Sequence, residues 1–259
     1  MKTLKLIPSK KEKTKVGLPS GTLIHVGKRK MDEIKIKLID YDSEEFIEKE
    51  MDDIKDCKRY KEKGTVTWIN VDGLHDIDLI KKLGDMYDLH PLLLEDILNT
   101  TQRPKVEDYE DHIFFVLKMI YYDQTEEEIT SEQISIVFGE NFVLSFQESS
   151  GDVFDPIRDR IKKSKGRIRT NGADYLSYAL IDAIIDNYFI VMEKLGEKIE
   201  GIENELIDEP NSETMYSIHS LKREMIYLRK SVWPLREVIS SLMREESSLI
   251  DESTYLFLR

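Results

Sequence analysis

Two neighbouring carboxylates, Glu95 and Asp96, sit inside the string HPLLLEDILNTTQRPKVEDYED, residues 90–111. The string opens as a short helix, with Pro91 where a helix tolerates proline, and closes in a Thr-Thr-Gln-Arg-Pro run that cannot continue one. Consecutive residues diverge by about 100° around a helix axis, so two adjacent acids do not easily close on one ion as a side-by-side pair. They can serve two sites, or face a second chain. A later pair, Asp182 and Asp186, stands at i and i+4 on the most apolar stretch of another helix. A carboxylate is costly there without a cation, a base or a hydrogen bond. Oxygen ligation of a metal is the chemistry these residues offer, and bonds to Ser, Tyr or backbone amides are the plainer account of the later pair. The Glu-Asp dipeptide alone says little, because it recurs at 107–108 and 110–111.

Other chemistries find no seat. The glycines form neither G-x-x-x-x-G-K-[ST] nor G-x-G-x-x-G, and G-x-S-x-G is absent. ESSGD, residues 148–152, reads as a turn capping the next helix, and the basic run IKKSKGRIR as a solvated loop. One cysteine, Cys57, excludes an internal disulfide, and five scattered histidines leave no Cys/His cluster for structural zinc. With 51 acidic residues against 38 basic, the formal charge of -13 repels nucleic-acid phosphates and anionic lipids and favours cations. Divalent cations therefore lead the small partners, and no nucleic-acid partner is expected. The same acidic excess also serves simply to keep a protein dispersed.

The elements that must position these residues follow from hydrophobic periodicity. A hydrophobic content of 40% in 259 residues suffices for a buried core. Residues 1–16 read as a mobile leader, 17–172 as an α/β domain, and 173–259 as helical. Strands are expected at 22–27, 34–40, 65–71, 112–122, 133–139 and 141–147, the last two joined by a Gly-Glu-Asn hairpin signal. Helices are expected at 42–51, 77–90 and 151–166. The hairpin rules out an all-parallel sheet, so a mixed one is favoured. After residue 173 one long helix is buried first and thins to a narrow seam from Leu195. DEPNSE breaks it, with Asn211 or Ser212 available to cap a successor. That successor spaces Ile218, Leu221, Met225, Leu228, Val232 and Leu235 by threes and fours, so it should fold back as an antiparallel hairpin, with Pro234 kinking or restarting it. No stretch nears about 20 uninterrupted apolar residues, and the amino terminus lacks a signal peptide, so the chain reads as soluble and cytosolic. The tail DESTYLFLR turns apolar without a closing cap, which suggests part of a longer protein.

The string from His90 to Lys118 resembles a segment of the amino-terminal cytosolic domain of CorA-type magnesium transporters. TWINVDGLHD, SFQESSGDVFDPIRDRI, RTNGADYLSYALIDAIIDNYF and LKREMIYLRKSVWPLREVISSL look like further segments of that family in the expected order. The resemblance runs from Gly17 to Arg259. It implies an α/β/α sandwich with a mixed central sheet, then a long antiparallel helical hairpin and the start of a stalk helix. It further implies the cytoplasmic part of a homopentameric Mg2+ and Co2+ channel in the cell membrane, not an enzyme. By that resemblance Glu95, Asp96 and Asp182 face a neighbouring subunit and bind a regulatory Mg2+, with Co2+ or Ca2+ able to replace it. The membrane helices and the Gly-Met-Asn signature are absent, and the family's partner aspartate on the stalk is expected just beyond Arg259. Three rivals stand beside this reading: a zinc transporter of the same superfamily, a hydrolase using Asp182 and Asp186 with a metal, and a helical interaction module without an ion role.

Overall fold

The structure, a computed structural model, describes residues 17–125, 127–208, 211–244 and 247–259. The expected leader lies outside the described residues. In chain order the elements are β1 (Lys35–Tyr41), β2 (Phe46–Glu50), a 3-10 turn (Ile54–Cys57) running into α1 (Lys58–Lys61), β3 (Val66–Asp72), α2 (Ile77–Tyr87), α3 (Pro91–Leu98) and β4 (Lys105–Asp108). There follow β5 (His112–Asp123), β6 (Glu128–Gly139), β7 (Phe142–Gln147), α4 (Asp155–Lys162), α5 (Ala173–Asp208), α6 (Ser212–Arg244) and α7 (Glu252–Tyr255).

The seven strands form one sheet in the order β2-β1-β3-β7-β6-β5-β4. Only β3 and β7 run parallel, so the sheet is mixed, as expected. Side chains alternate across it. In β5, Ile113, Phe115 and Leu117 join the core beneath α4, α5 and α6, while Phe114 and Val116 join the core beneath α2 and α3. Both faces are buried, which explains why β5 reads as a continuous apolar run.

Four sequence expectations are corrected. Residues 42–51 are not a helix: Asp42 Oδ1 accepts from the amides of Glu44 and Glu45, each at 2.7 Å, and turns the chain into the edge strand β2. Phe46 packs on one core and Ile47 on the other, so alternation across a sheet outweighs the helical capping signal. Residues 22–27 form no sheet strand; they are extended and pinned to the end of α3 by Val26 N to Leu98 O at 2.9 Å and Thr100 N to Val26 O at 3.0 Å. The edge strand β4 was not anticipated, because KVED is short and charged, the composition that protects a sheet edge. Pro234 does not restart α6, which runs unbroken from Ser212 to Arg244. It cannot donate to the Lys230 carbonyl, yet Leu228, Leu235 and Val238 on either side are buried in one core, and that packing holds the helix together.

Helix α5 is buried through Tyr188, Val191 and Leu195 and then only at Ile202, matching the predicted thinning. By length and composition it could cross a membrane, but its apolar half is used against the sheet, where Asn187 Nδ2 donates to the Ile120 carbonyl at 2.5 Å. Asn211 caps α6, its Oδ1 accepting from Glu213 N at 2.7 Å and Thr214 N at 3.0 Å. The two helices form an antiparallel hairpin, joined across it by Lys198 and Glu224 at 2.8 Å. Beyond α6 the chain returns to the base of α5. There Asp251 N donates to Asp174 Oδ2 at 3.0 Å, and Ile250 and Leu258 enter the core.

Helices α2 and α3 approach closely because Gly84 has no side chain: a Cβ there would lie 2.4 Å from Leu94 Cδ1. Gly84→Val is therefore expected to cost about 1–3 kcal/mol in urea unfolding. Gly196, mid-helix in α5, has nothing within 4 Å of a built Cβ. Gly196→Ala should instead add about 0.5–1 kcal/mol, from helix propensity alone.

Candidate metal-binding site

Helix α3 fixes Glu95 and Asp96 through its apolar residues. His90 caps it, with Nδ1 accepting from Leu92 N at 3.3 Å, and Pro91 occupies the first turn. Leu93, Leu94, Ile97 and Leu98 are buried, which leaves Glu95 and Asp96 half-buried at the margin of the helix. With Ser20, Leu92, Glu107 and Tyr109 they line an open recess of about 410 Å³.

None of these carboxylates stands alone. Glu95 Oε2 accepts from Gly21 N at 2.6 Å. Asp96 Oδ2 accepts from Lys105 Nζ at 2.5 Å, and Gln102 Nε2 donates to Asp96 Oδ1. Lys105 also bonds Glu107 Oε1 at 2.6 Å, so one ammonium bridges two acids. Burial works against the charge of Lys105, but the bonds to Asp96 and Glu107 outweigh it and hold its pKa above the ordinary lysine value. Burial likewise acts to raise Glu107, but Lys105 and Tyr109 prevail and keep it below the ordinary carboxylate range. Tyr109 donates to Glu107 Oε2 at 2.6 Å and stacks between His90 and His112, with centroids 5.9 and 5.0 Å away.

The cluster is charge-compensated but not sealed. Asp96 and Lys105 retain 19% and 28% of their side-chain exposure, so the pair sits at the surface and not in the interior. Its donors are carboxylate oxygens with room for water. That set fits a hard, hydrated divalent cation better than zinc, which prefers nitrogen and sulfur. Any ion reaching Asp96 must compete with Lys105.

Asp182 lies elsewhere, on α5, which covers the other face of the sheet from α3. It is half-buried and Asp186 is exposed. Burial and then the charge of Asp186 raise the Asp182 pKa, opposed by a hydrogen bond with Tyr178 and by Arg160. Among the described residues no three His, Cys, Asp or Glu side chains gather into a metal cluster. One chain thus brings Glu95 and Asp96 together with Glu107 and keeps Asp182 apart. Sequence reasoning passed over Glu107 because it weighed the repeated Glu-Asp dipeptide and not the Lys105 two residues before it.

Residues 63–259 match the model of a family described as CorA-like Mg2+ transporter protein. The cobalt/magnesium transport protein CorA of Thermotoga maritima is 46% identical over 250 residues, which takes in 96% of this chain and 71% of that protein. Among solved structures, the soluble domain of CorA from Methanocaldococcus jannaschii superposes with a TM-score of 0.69 at 21% identity, covering 86% of this chain and 84% of that one. The cytoplasmic domain of ZntB from Vibrio parahaemolyticus gives 0.61 at 16% identity, covering 87% and 86%. The structural likenesses speak for the fold, an α/β layer with long helices. A family match across residues 63–259, together with 46% identity along nearly the whole chain, means that this chain belongs to the CorA-like Mg2+ transporter family.

Proposed function

We propose that the chain is the cytosolic, Mg2+-sensing part of a divalent-cation transporter for Mg2+ and Co2+. In this reading the full-length protein is a homopentamer, anchored in the cell membrane and gated by metal held between subunits. The observation that carries it is the separation of the acids. Glu95 and Asp96 lie by α3, and Asp182 lies on α5 over the other face of the sheet. In a cyclic ring each contact joins two different patches, so the α3 side of one subunit can meet the α5 side of the next.

At such a contact, two carboxylates about 4 Å apart repel by about 1 kcal/mol in water, and by more where solvent is partly excluded. A dication between them reverses the sign. Mg2+ suits this role because it keeps most of its waters and accepts one or two carboxylates without a dedicated cage; Co2+ or Ca2+ would take its place at similar oxygen donors. Selective binding to the closed, symmetric ring stabilises it, and loss of the ion frees the subunits to move and open the pore. Lys105 acts here as a tethered rival cation: it neutralises Asp96 and Glu107 when the ion is absent and must swing away to admit it. That competition tunes the site toward weak binding, as a sensor of an abundant ion requires.

In the full-length protein, Asp96→Ala combined with Asp182→Ala should raise the Mg2+ concentration that half-inhibits flux by about tenfold, equivalent to about 1.4 kcal/mol. Inhibition indistinguishable from the parent would end the proposal. Lys105→Met, which removes the rival cation and keeps the chain length, should shift half-inhibition about three- to tenfold toward lower Mg2+, since a hydrogen bond to a charged group contributes about 1.5–3 kcal/mol before compensation. Because Asp182 has a raised pKa and must be ionised to hold a metal, Mg2+ inhibition should weaken on acidification at a higher pH in the parent than in Asp182→Ala. Flux recorded at fixed Mg2+ across a pH series checks this.

A further inference from the structure

In a chain of net charge -13, one cleft is lined by cations and by no acid. It lies where residues 102–104, leading into β4, and Lys118 of β5 meet the middle of α6, and its volume is about 630 Å³. Arg103 stands on one wall and Arg229 and Lys230 on the other. All three are exposed, and none forms an ion pair or hydrogen bond among the described residues. Lys118 is more deeply set; burial pushes its pKa down to about 8, and its Nζ donates to the Thr100 carbonyl at 3.0 Å. Concentrated positive charge without internal acids is a demand for an anion from outside.

The rest of the lining says which kind. Trp233 is 73% exposed beside these cations, and Tyr227 lies two turns earlier on the same helix. An open indole face stacks on a planar ring, which contributes about 1–3 kcal/mol when the ring is a nucleobase. Next to it Pro234 has no N–H to give the Lys230 carbonyl, so that oxygen lacks its usual helical donor and is available to an amino group such as that of an adenine base. Guanidinium groups of two arginines match phosphate oxygens in their forked geometry. The volume lies within the range of small-molecule sites, about 300–1,000 Å³. A long polyanion would meet the acidic remainder of the surface, whereas a small one need only enter the cleft.

We propose that this cleft binds a nucleoside polyphosphate, with its phosphates on Arg103, Arg229 and Lys230 and its base against Trp233. The cleft borders the site by α3, since Gln102 lines it and bonds Asp96, but the assignment does not rest on metal binding there.

The sequence has two tryptophans, and Trp68 is buried at 1% exposure, so emission from a solvent-exposed indole belongs to Trp233. The chain is titrated with ATP, ADP, adenosine and inorganic tripolyphosphate in the presence of a chelator, read by calorimetry and by fluorescence excited at the red edge. ATP should bind and quench Trp233. Tripolyphosphate and adenosine should each bind at least tenfold more weakly than ATP. Arg229→Ala with Lys230→Ala should weaken ATP at least tenfold, as should Trp233→Ala, with thermal unfolding unchanged because all three side chains are exposed. Arg103→Ala, on the opposite wall, gives an independent loss should the α6 variants fold poorly. No ATP binding up to millimolar concentration overturns the proposal. Tripolyphosphate binding as tightly as ATP also overturns it, reducing the cleft to a bare anion patch. Sedimentation in which the double α6 variant loses self-association while ATP binds neither protein would give the cleft to a second copy instead.

Discussion

A sheet that buries both faces must carry a layer on each, and the functional geometry of this chain descends from that constraint. The alternation in β5 sends Phe114 to one core and Phe115 to the other, and α3 and α5 are each fastened to the side that their apolar faces can cover. Since stacked layers sit about 10 Å apart, the acids of α3 and the acid of α5 cannot share one ion inside one subunit. The separation of these acids within one chain is thus a product of layer packing and needs no special device.

The electrostatics by α3 follow a different logic. A bare cluster of Asp96, Glu107 and Glu95 would strain the local fold by mutual repulsion; Lys105, lodged between two of them, removes that strain within the chain. Such a compensated cluster folds without metal. It also stays more open to solvent, at 28% and 19% for Lys105 and Asp96, than the pair Arg158–Asp152, where the two side chains are 13% and 4% exposed.

Much of the architecture was legible in the residues, and the failures have definite causes. Long runs such as HIFFVLKMIYY and the seam from Ile218 to Leu242 declared their element type, because many residues repeat one period. Short pieces did not. DSEEFIEKEM offers a helix-like cap, but Phe46 and Ile47 are adjacent, and a sheet edge lets such neighbours reach two different cores. Pro234 signals a restart that α6 does not make, since packing by Leu228, Leu235 and Val238 is a tertiary effect that no local rule contains. At the site, Glu95 and Asp96 were visible as a motif, while the partner Lys105 required knowing that β4 lies beside α3. The basic cleft was not legible at all: its cations come from 103, 118, 229 and 230, and adjacency across such gaps exists only after folding.

The return of the chain to the base of α5 has a mechanical corollary. Leu258 and Tyr178 line the same small cavity, and Tyr178 is hydrogen-bonded to Asp182 one turn along. The amide of Asp251 is tied to Asp174 on that same helix. Tension applied at the carboxy-terminal end is therefore felt within two side-chain contacts by the carboxylate on α5, and a shift of that carboxylate tugs equally on the end.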